Sequence, residues 1–314
     1  MKCFVGVDGG GTHTSIRAYN LDGQCVAKNI VGGINYNFIS TDAAADRLVK
    51  GILSLRLDGE ILSIGLGDPS IDENSLNSKT KQFKTLLQRA LGDQIPIYIK
   101  SDAFMSLYGH TQGQEGLVII SGTGAIGLAC DCEGVLYTLG GWGRLTGDEG
   151  SAYYIALAGI KAALRHHDGI GEQTTLSALL PSYFGCKRMR GLIDLFYASP
   201  EPEIASFAKI ISEQAQQGDE VSHRIIKKAA WYLAAYAEAL VKWLYRANPN
   251  YENKAVGIYG SVLTKNKLVR HEFETLLQAI YPDTDLVEPD TAPEAAAALY
   301  AASQYQNEDR EEVL

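Results

Sequence analysis

What the chain is short of narrows its class first. Positive charge is in deficit: Lys and Arg number 28 against 37 Asp and Glu, a formal net charge of −9. The isoelectric point is near 5.2. That balance argues against nucleic acid or an anionic membrane as the main partner. No uncharged apolar stretch approaches the roughly 18 residues of a membrane span. The N-terminus enters a strand almost at once, so no signal peptide is expected, and a cytoplasmic location is. Cysteine is sparse: Cys3, Cys25, Cys130, Cys132 and Cys186, five in all. An odd, irregularly spaced set is not a disulfide framework. Cys130 and Cys132 are expected on one face of a strand, as half-buried thiols rather than a metal pair, because no second ligand pair follows. A low-complexity linker is missing, and so is any GxxxxGK[ST] string, which excludes a P-loop.

Glycine, by contrast, is plentiful at 32 residues, and it recurs in a pattern. VGVDGGGTHTSIRAYNLDGQCVA and LVIISGTGAIGLACDCEGVLYTLGG read as one hairpin used twice. In each, an apolar run enters a Gly/Thr turn, Gly11-Thr12 or Gly122-Thr123. An alternating run then reaches a second turn at Gly23 or Gly134, at the same spacing from the threonine. Glycine in a turn lets backbone N–H groups approach phosphate oxygens closely. Two such loops, one per half, can grip a polyphosphate from both sides. Only the first carries a carboxylate ahead of its glycines, Asp8. Equal spacing puts Ile119 at the matching place of the second, so a metal-associated acid is expected from the first half alone.

The 314 residues favour two domains. The first hundred or so read as three strands followed by αβαβ, a mixed sheet. Strands are expected near Lys2–Val7, Thr14–Asn20, Gln24–Val31, Leu62–Leu66 and Ile95–Lys100. Helices are expected near Thr41–Leu55, with Ser40 and Thr41 as capping candidates, and near Lys79–Leu91. The pattern restarts near Leu117, with two hairpins, the Gly-rich passage GGWGRLTGDEG, and helices at Ser151–His166, Ile204–Gln217 and Glu220–Ala247. A strand at Ala255–Tyr259 ends in Gly260-Ser261. A helix, a short strand near Asp285–Val287 and the Ala-rich helix Pro293–Ser303 follow, with a frayed polar tail. The halves are expected to meet at a hinge in Tyr108–Gly116. The fold class is therefore α/β, with mixed sheets flanked by helices.

Several motifs carry two readings. GTGAIG matches GxGxxG after a strand, but the Rossmann fingerprint needs a helix to start there, and LACDCEGVLYTL reads as strand, turn, strand. The three successive glycines of VDGGGT exceed what a tight hairpin needs, which favours a ligand. Asp102 ends a strand ahead of AFMSLYG, so it is either a helix N-cap or a general base at the C-terminal edge of a sheet. Asp148 and Glu149 are caps or site residues among too many glycines for a cap alone. Trp142 stacks on a sugar or fills a core.

Together VGVDGGGTHT, the SDA at Ser101–Ala103, ISGTGAIG, GGWGRLTGDEGSAYYIA, AQQGDEVS and YGSV resemble the N-acetylglucosamine kinase branch of the sugar kinase/heat-shock protein 70/actin superfamily. They follow that family's order over nearly the whole chain, and GGWGxxxGDEGSA is the most specific. The resemblance implies two ribonuclease-H-like lobes with ATP in the cleft between them, closing on sugar. The first would span residues 1–113, completed by the C-terminal helix 291–314, and the second residues 114–290. It implies a first phosphate loop of Asp8, Gly10, Gly11 and Thr12, with Asp8 near Mg²⁺, and a second of Gly122, Thr123 and Gly124. Gly218 and Gly260-Ser261 would face the adenosine, and Asp102 would be the catalytic aspartate. Asn35, Gly141, Trp142 and Asp148 would contact the sugar. A homodimer is compatible with it. DPSID, from Asp68 to Asp72, departs from the family's small-residue turn.

The expected activity is ATP-dependent phosphorylation of the 6-hydroxyl of an N-acetylated amino sugar, N-acetylglucosamine foremost. Glucosamine, N-acetylmuramic acid and N-acetylmannosamine are not separated by sequence. Sugar kinases with a CGxxGCxE zinc motif are set aside because the string is absent. The [4Fe–4S] ATPase activators of dehydratases and reductases share both loops but need interface cysteines in loops. A non-catalytic amino-sugar sensor would have lost Asp102 or Asp8, and both are present.

Overall fold

The computed structural model describes residues 1–68, 70–71, 78–252 and 255–311. The chain divides into two compact units. One is Met1–Gly113 with Pro289–Leu314, and the other is Gln114–Glu288.

The first unit holds β1 (Lys2–Asp8), β2 (His13–Asn20), β3 (Cys25–Gly32), β4 (Glu60–Asp68) and β5 (Ile97–Ser101). Its helices are α1 (Thr41–Leu53), α2 (Ser78–Leu91) and α3 (Asp102–Thr111). The second unit holds β6 (Gly116–Ser121), β7 (Ala125–Cys130), β8 (Leu136–Gly140), β9 (Ala255–Tyr259) and β10 (Asp285–Val287). Its helices are α4 (Ala152–His167), α5 (Leu176–Tyr183), α6 (Leu192–Ala198), α7 (Glu201–Ala205), α8 (Ala208–Gln216), α9 (Glu220–Ala247), α10 (Ser261–Thr264) and α11 (Lys267–Gln278). The last helix, α12 (Pro293–Glu311), returns to the first unit.

The two sheets share one topology. The strand orders are β3-β2-β1-β4-β5 and β10-β9-β6-β7-β8. In each, three antiparallel strands are followed by two that run parallel to the first. The sequence periodicity explains the arrangement. β1 is apolar almost throughout and buried on both faces, whereas β3 alternates and lies at an edge.

One device fixes α12. Gly6 and Gly65 are register neighbours in β1 and β4. A Cβ on Gly6 would lie 1.8 Å from the Glu294 carbonyl oxygen, and one on Gly65 would lie 1.9 Å from that of Ala297. The helix backbone therefore rests directly on the sheet, with Ala296, Ala297, Ala298 and Ala301 buried against it. Ser63 Oγ donates to the Ala301 carbonyl at 3.1 Å. The alanine richness of the helix is a packing requirement here, and an added methyl at either glycine would cost about 1–3 kcal/mol or more.

Several sequence expectations need correction. The stretch read as one helix from Ile204 is two, α7 and α8. The segments α5 and α6 went unread, because α5 is short and carries Pro181. α12 continues through Glu311, past the expected helix end at Ser303 and into the tail from Gln306 that is expected to fray. β7 ends at Cys130, so Cys132 is exposed in the turn that follows and does not share a strand face with it. Pro69 and Asp72 of the DPSID stretch, and residues 312–314 of the tail, lie outside the described residues.

Candidate functional site

The two hairpins are the same object to atomic detail at their far turns. Asn20 Oδ1 accepts the backbone N–H of Asp22 and Gln24, and Asp131 Oδ1 accepts those of Glu133 and Val135. Both turns close on a left-handed glycine, Gly23 at φ 77° and Gly134 at φ 81°. The ladder register therefore aligns the pairs Asp8–Ser15 and Ile120–Ile126. Ile120, not Ile119, is the counterpart of Asp8. The first near turn has one residue more, within its run of glycines, and equal spacing missed the shift. An acid is still absent from the second hairpin at that place.

Two glycines of the near turns have a structural cause. A Cβ on Gly10 would sit 2.4 Å from the His13 carbonyl oxygen, and one on Gly124 would sit 3.1 Å from Asp148 Oδ2. Gly11 and Gly122 are different. Neither has a positive φ, and nothing lies within 4 Å of a Cβ built on either. Each immediately precedes the threonine of its turn. The N–H groups of Gly10, Gly11 and Thr12, and of Thr123 and Gly124, make no hydrogen bond among the described residues. Such donors, in a turn open to solvent, suit an oxyanion.

In the first unit the near turn is tied to the segment after β3. Gly33 N–H donates to the Thr12 carbonyl at 2.9 Å and Ile34 N–H to that of Gly10 at 3.1 Å. A Cβ on Gly33 would lie 2.1 Å from the Gly11 carbonyl oxygen. Asn35 follows directly, so it is carried by the loop itself. Gly33 escaped the sequence reading, although the Gly-Gly pair after an alternating strand was a visible signal.

The carboxylates gather at the C-terminal edge of the parallel strands. Asp8 pairs in register with Gly67, and Asp68 with Ser101. Asp102 comes next, in the first turn of α3. Ser101 is the helix N-cap: its Oγ accepts the Phe104 N–H at 2.9 Å. The capping reading of Asp102 is therefore wrong. Its Oδ1 accepts from the adjacent Ala103 N–H at 2.8 Å. Burial, and then the negative charges of Glu294 and Asp102, push the Asp8 carboxyl up to about 6, with His13 opposing. Glu294 is itself buried and ion-paired with Arg17 at 2.7 Å. Among the described residues there is no group of three or more His, Cys, Asp or Glu that could hold a metal. A lone desolvated carboxylate beside other acids fits a hard cation that keeps most of its ligands as water and phosphate, as Mg²⁺ does.

In the second unit the near turn is clamped to α4. Ser121 Oγ donates to the Gly150 carbonyl at 2.9 Å, Ala152 N–H to that of Gly122 at 2.8 Å, and Tyr153 N–H to that of Thr123 at 3.3 Å. TGDEGSAY thus runs alongside the loop. Ser151 caps α4, which removes the capping reading of Asp148 and Glu149. Asp148 has φ 59° and is buried, with its carboxylate against Gly124. The Tyr236 hydroxyl donates to Glu149 Oε2 at 3.0 Å. Trp142 is 76 % exposed, so it fills no core. Gly141, at φ 69°, packs against Ile126.

A cavity of about 510 Å³ lies beside this loop, within the usual range for a small-molecule site. Thr123 and Ser261 both line it, with Ser212, Glu213, Gln216 and Asn266. Gly218 and Gly260 do not. Gly218, at φ 94°, ends α8, and Asp219 beside it caps α9 through the Ser222 N–H at 2.8 Å. Burial opposes the Asp219 charge, but the N–H groups of Ser222 and Thr175 and the Thr174 hydroxyl hold its carboxyl below the usual range. AQQGDEVS is thus explained as a helix junction. Gly260, at φ 82°, lets β9 pass the Ser121 carbonyl oxygen, 2.3 Å from a Cβ built there.

The profile of the BadF/BadG/BcrA/BcrD ATPase family matches residues 5–301. An N-acetylmuramic acid/N-acetylglucosamine kinase of Clostridium acetobutylicum is 31% identical over 319 residues, covering 97% of this chain and 99% of its own. An N-acetyl-D-glucosamine kinase of Dictyostelium discoideum is 31% identical over 317 residues, covering 96% and 98%. Among solved structures, a candidate N-acetylglucosamine kinase of Chromobacterium violaceum superimposes with a TM-score of 0.74 at 21% identity, covering 95% of this chain and 99% of its own. A ROK family glucokinase of Streptomyces griseus, in complex with glucose and AMPPNP, gives 0.60 at 14%, covering 96% and 99%. At such identities the structural likeness establishes the fold, two five-stranded mixed sheets flanked by helices.

Proposed function

The chain belongs to the BadF/BadG/BcrA/BcrD ATPase family, and from that premise we propose that it is an ATP-dependent sugar kinase acting on the 6-hydroxyl of an N-acetylated amino sugar, N-acetylglucosamine first. The observation that carries this reading is the repeated Gly-Thr turn. Both copies keep a glycine that, among the described residues, no contact and no backbone angle requires, beside N–H groups without partners among those residues. Glycine in that position costs conformational entropy, and a phosphate chain lying across it supplies the reason. The names of the full-length relatives favour an amino sugar as acceptor.

Gly10, Gly11 and Thr12 of one loop and Gly122, Thr123 and Gly124 of the other hold the phosphates of ATP. The nucleoside occupies the cavity at Thr123 and Ser261, with Gly260 and Gly218 shaping the backbone around it. Asp8 is the protein ligand of Mg²⁺, which when bound supplies positive charge at the phosphate oxygens. Asn35, Gly141, Trp142 and Asp148 hold the sugar. Asp102 is the general base. It takes the proton of the sugar hydroxyl as that oxygen bonds to the γ-phosphorus and the bond to the ADP oxygen breaks. Positioning and charge supply most of the acceleration in such a transfer, and the base about 10²–10⁴-fold more.

A panel of N-acetylglucosamine, N-acetylmuramic acid, N-acetylmannosamine, glucosamine and glucose with ATP and Mg²⁺ tests the reading. ADP release matched by a phosphosugar, fastest with an N-acetylated sugar, is the expected result. ATP hydrolysis indifferent to sugar, with iron in anaerobically purified protein, would replace it by the activator reading.

A further inference from the structure

The C-terminal end of β4 holds a buried carboxylate that the phosphate chemistry does not use. Asp68 is fully buried, at 0% exposure. The Tyr36 hydroxyl donates to its Oδ2 at 2.6 Å and the Ser70 N–H to its Oδ1 at 2.8 Å. Because the tyrosine proton goes to Asp68, the phenol oxygen is left to accept from Thr80 Oγ1, 2.9 Å away. Burial raises the Asp68 carboxyl while these donors oppose it. Tyr36 is 2% exposed and packs against Phe83, with ring centroids 5.1 Å apart and planes tilted by 45°.

This network reaches outward in one direction. Ser70 Oγ donates to Asn35 Oδ1 at 3.2 Å. The Asn37 N–H donates to the same oxygen at 2.9 Å. A backbone donor cannot be exchanged for an acceptor, so the Asn35 amide has one orientation. Its oxygen is committed to the protein, and its NH₂ group remains as the donor to a ligand. Asn35 thus receives its aim from Ser70, and Ser70 from Asp68 and Tyr36. A buried, hydrogen-bonded carboxylate is weak evidence for stability, because apolar residues of similar volume often serve as well. Its location suggests another use: Asp68 pairs in register with Ser101, next to Asp102.

We propose that Tyr36 and Asp68 are positioning residues for the sugar, acting through Ser70 and Asn35. The inference rests on the sugar-kinase reading above. It assigns a use to the DPSID stretch, where the chain departs from the pattern it otherwise resembles. The buried tyrosine–carboxylate pair takes over the anchoring that a small-residue turn would give.

The test is steady-state kinetics of the full-length protein and its Tyr36→Phe, Ser70→Ala and double variants, with sugar and ATP varied separately. Tyr36→Phe should raise the sugar KM about tenfold, the effect of losing one well-placed hydrogen bond. It should leave kcat within about threefold and the ATP KM within about twofold. Ser70→Ala, which removes a half-buried hydroxyl and threatens the fold least, should do the same. Because both act on Asn35 through one path, the double variant should be no worse than about twice the poorer single. A merely structural pair would lower the melting temperature and leave the sugar KM alone, and that outcome in both single variants overturns the proposal. Multiplying effects in the double variant overturn it too. Absence of any saturable sugar turnover by the unaltered protein removes the kinase reading and this inference with it. Normal turnover with an unchanged sugar KM in the variants removes this inference only.

Discussion

The two hairpins share their far turn, their register and their open glycine, yet they are fastened to different things. The first is bonded to residues 33 and 34, and so delivers Asn35. The second is bonded to the N-terminus of α4, and so delivers Asp148 on one side and the cavity at Thr123 and Ser261 on the other. The first ends beside three carboxylates, Asp8, Asp68 and Asp102. The second has isoleucine where the first has Asp8. The difference teaches that a duplicated loop can keep one job, presenting backbone donors, while its surroundings divide the rest. The carboxylates lie with one copy and the cavity with the other.

The sharpest way to break that division is to neutralise the first copy's edge. Asp102→Asn should lose about 10²–10⁴-fold in kcat. Because Ser101, not Asp102, caps α3, the variant should lose only about 0.3–1 kcal/mol of stability through the missing helix-end charge. A stable Asp102→Asn protein of near-normal activity in the sugar assay would leave the acidic edge without a catalytic role.

The next effect compares glycines. Gly11→Ala and Gly122→Ala meet no atom and no forbidden φ, so each should fold as well as the parent or gain about 0.4–1 kcal/mol. Each should weaken ATP binding about tenfold or more by calorimetry. Gly33→Ala and Gly260→Ala should instead lower stability by about 1–3 kcal/mol or more through overpacking. Equal ATP affinity in the Gly122→Ala protein would break the likeness of the two loops.

The smallest effect concerns Asp8. Its folded-state pKa of about 6 stands above the ordinary carboxylate value, so ionising it opposes folding. That contribution is harmless at low pH, grows as pH rises from about 4 to 6, and is complete above about 7. Asp8→Asn should therefore melt at the same temperature as the parent near pH 4 and a few degrees higher near pH 7.5. It should bind MgATP less well. A melting difference independent of pH would contradict the desolvated carboxylate.

Much of this was legible in the sequence because it is local. The far turns follow from Asn20-Leu-Asp-Gly and Asp131-Cys-Glu-Gly, where a side-chain oxygen and a glycine dictate the geometry. Helices with strong periods, such as α1 and α9, were read to within a residue or two. Pairings between distant segments were not legible. The docking of α12 on Gly6 and Gly65 shows only when both strands are side by side. Tyr36 and Asp68 meet across a stretch that reads as loop, helix and strand, with no pattern linking them. The capping alternative for Asp102 fails because Ser101, also a good cap, stands one place earlier. Gly218 stays open to two readings, because a helix-ending glycine and a ligand-facing one look alike in sequence.

The central claim is the chemistry of the acceptor, and nuclear magnetic resonance of the product tests it most directly. Incubation with N-acetylglucosamine, ATP and Mg²⁺ should give one phosphorus signal coupled to the two C6 protons, in amounts equal to the ADP formed. A phosphorus signal coupled to the anomeric proton, or ADP accompanied only by inorganic phosphate, would contradict it.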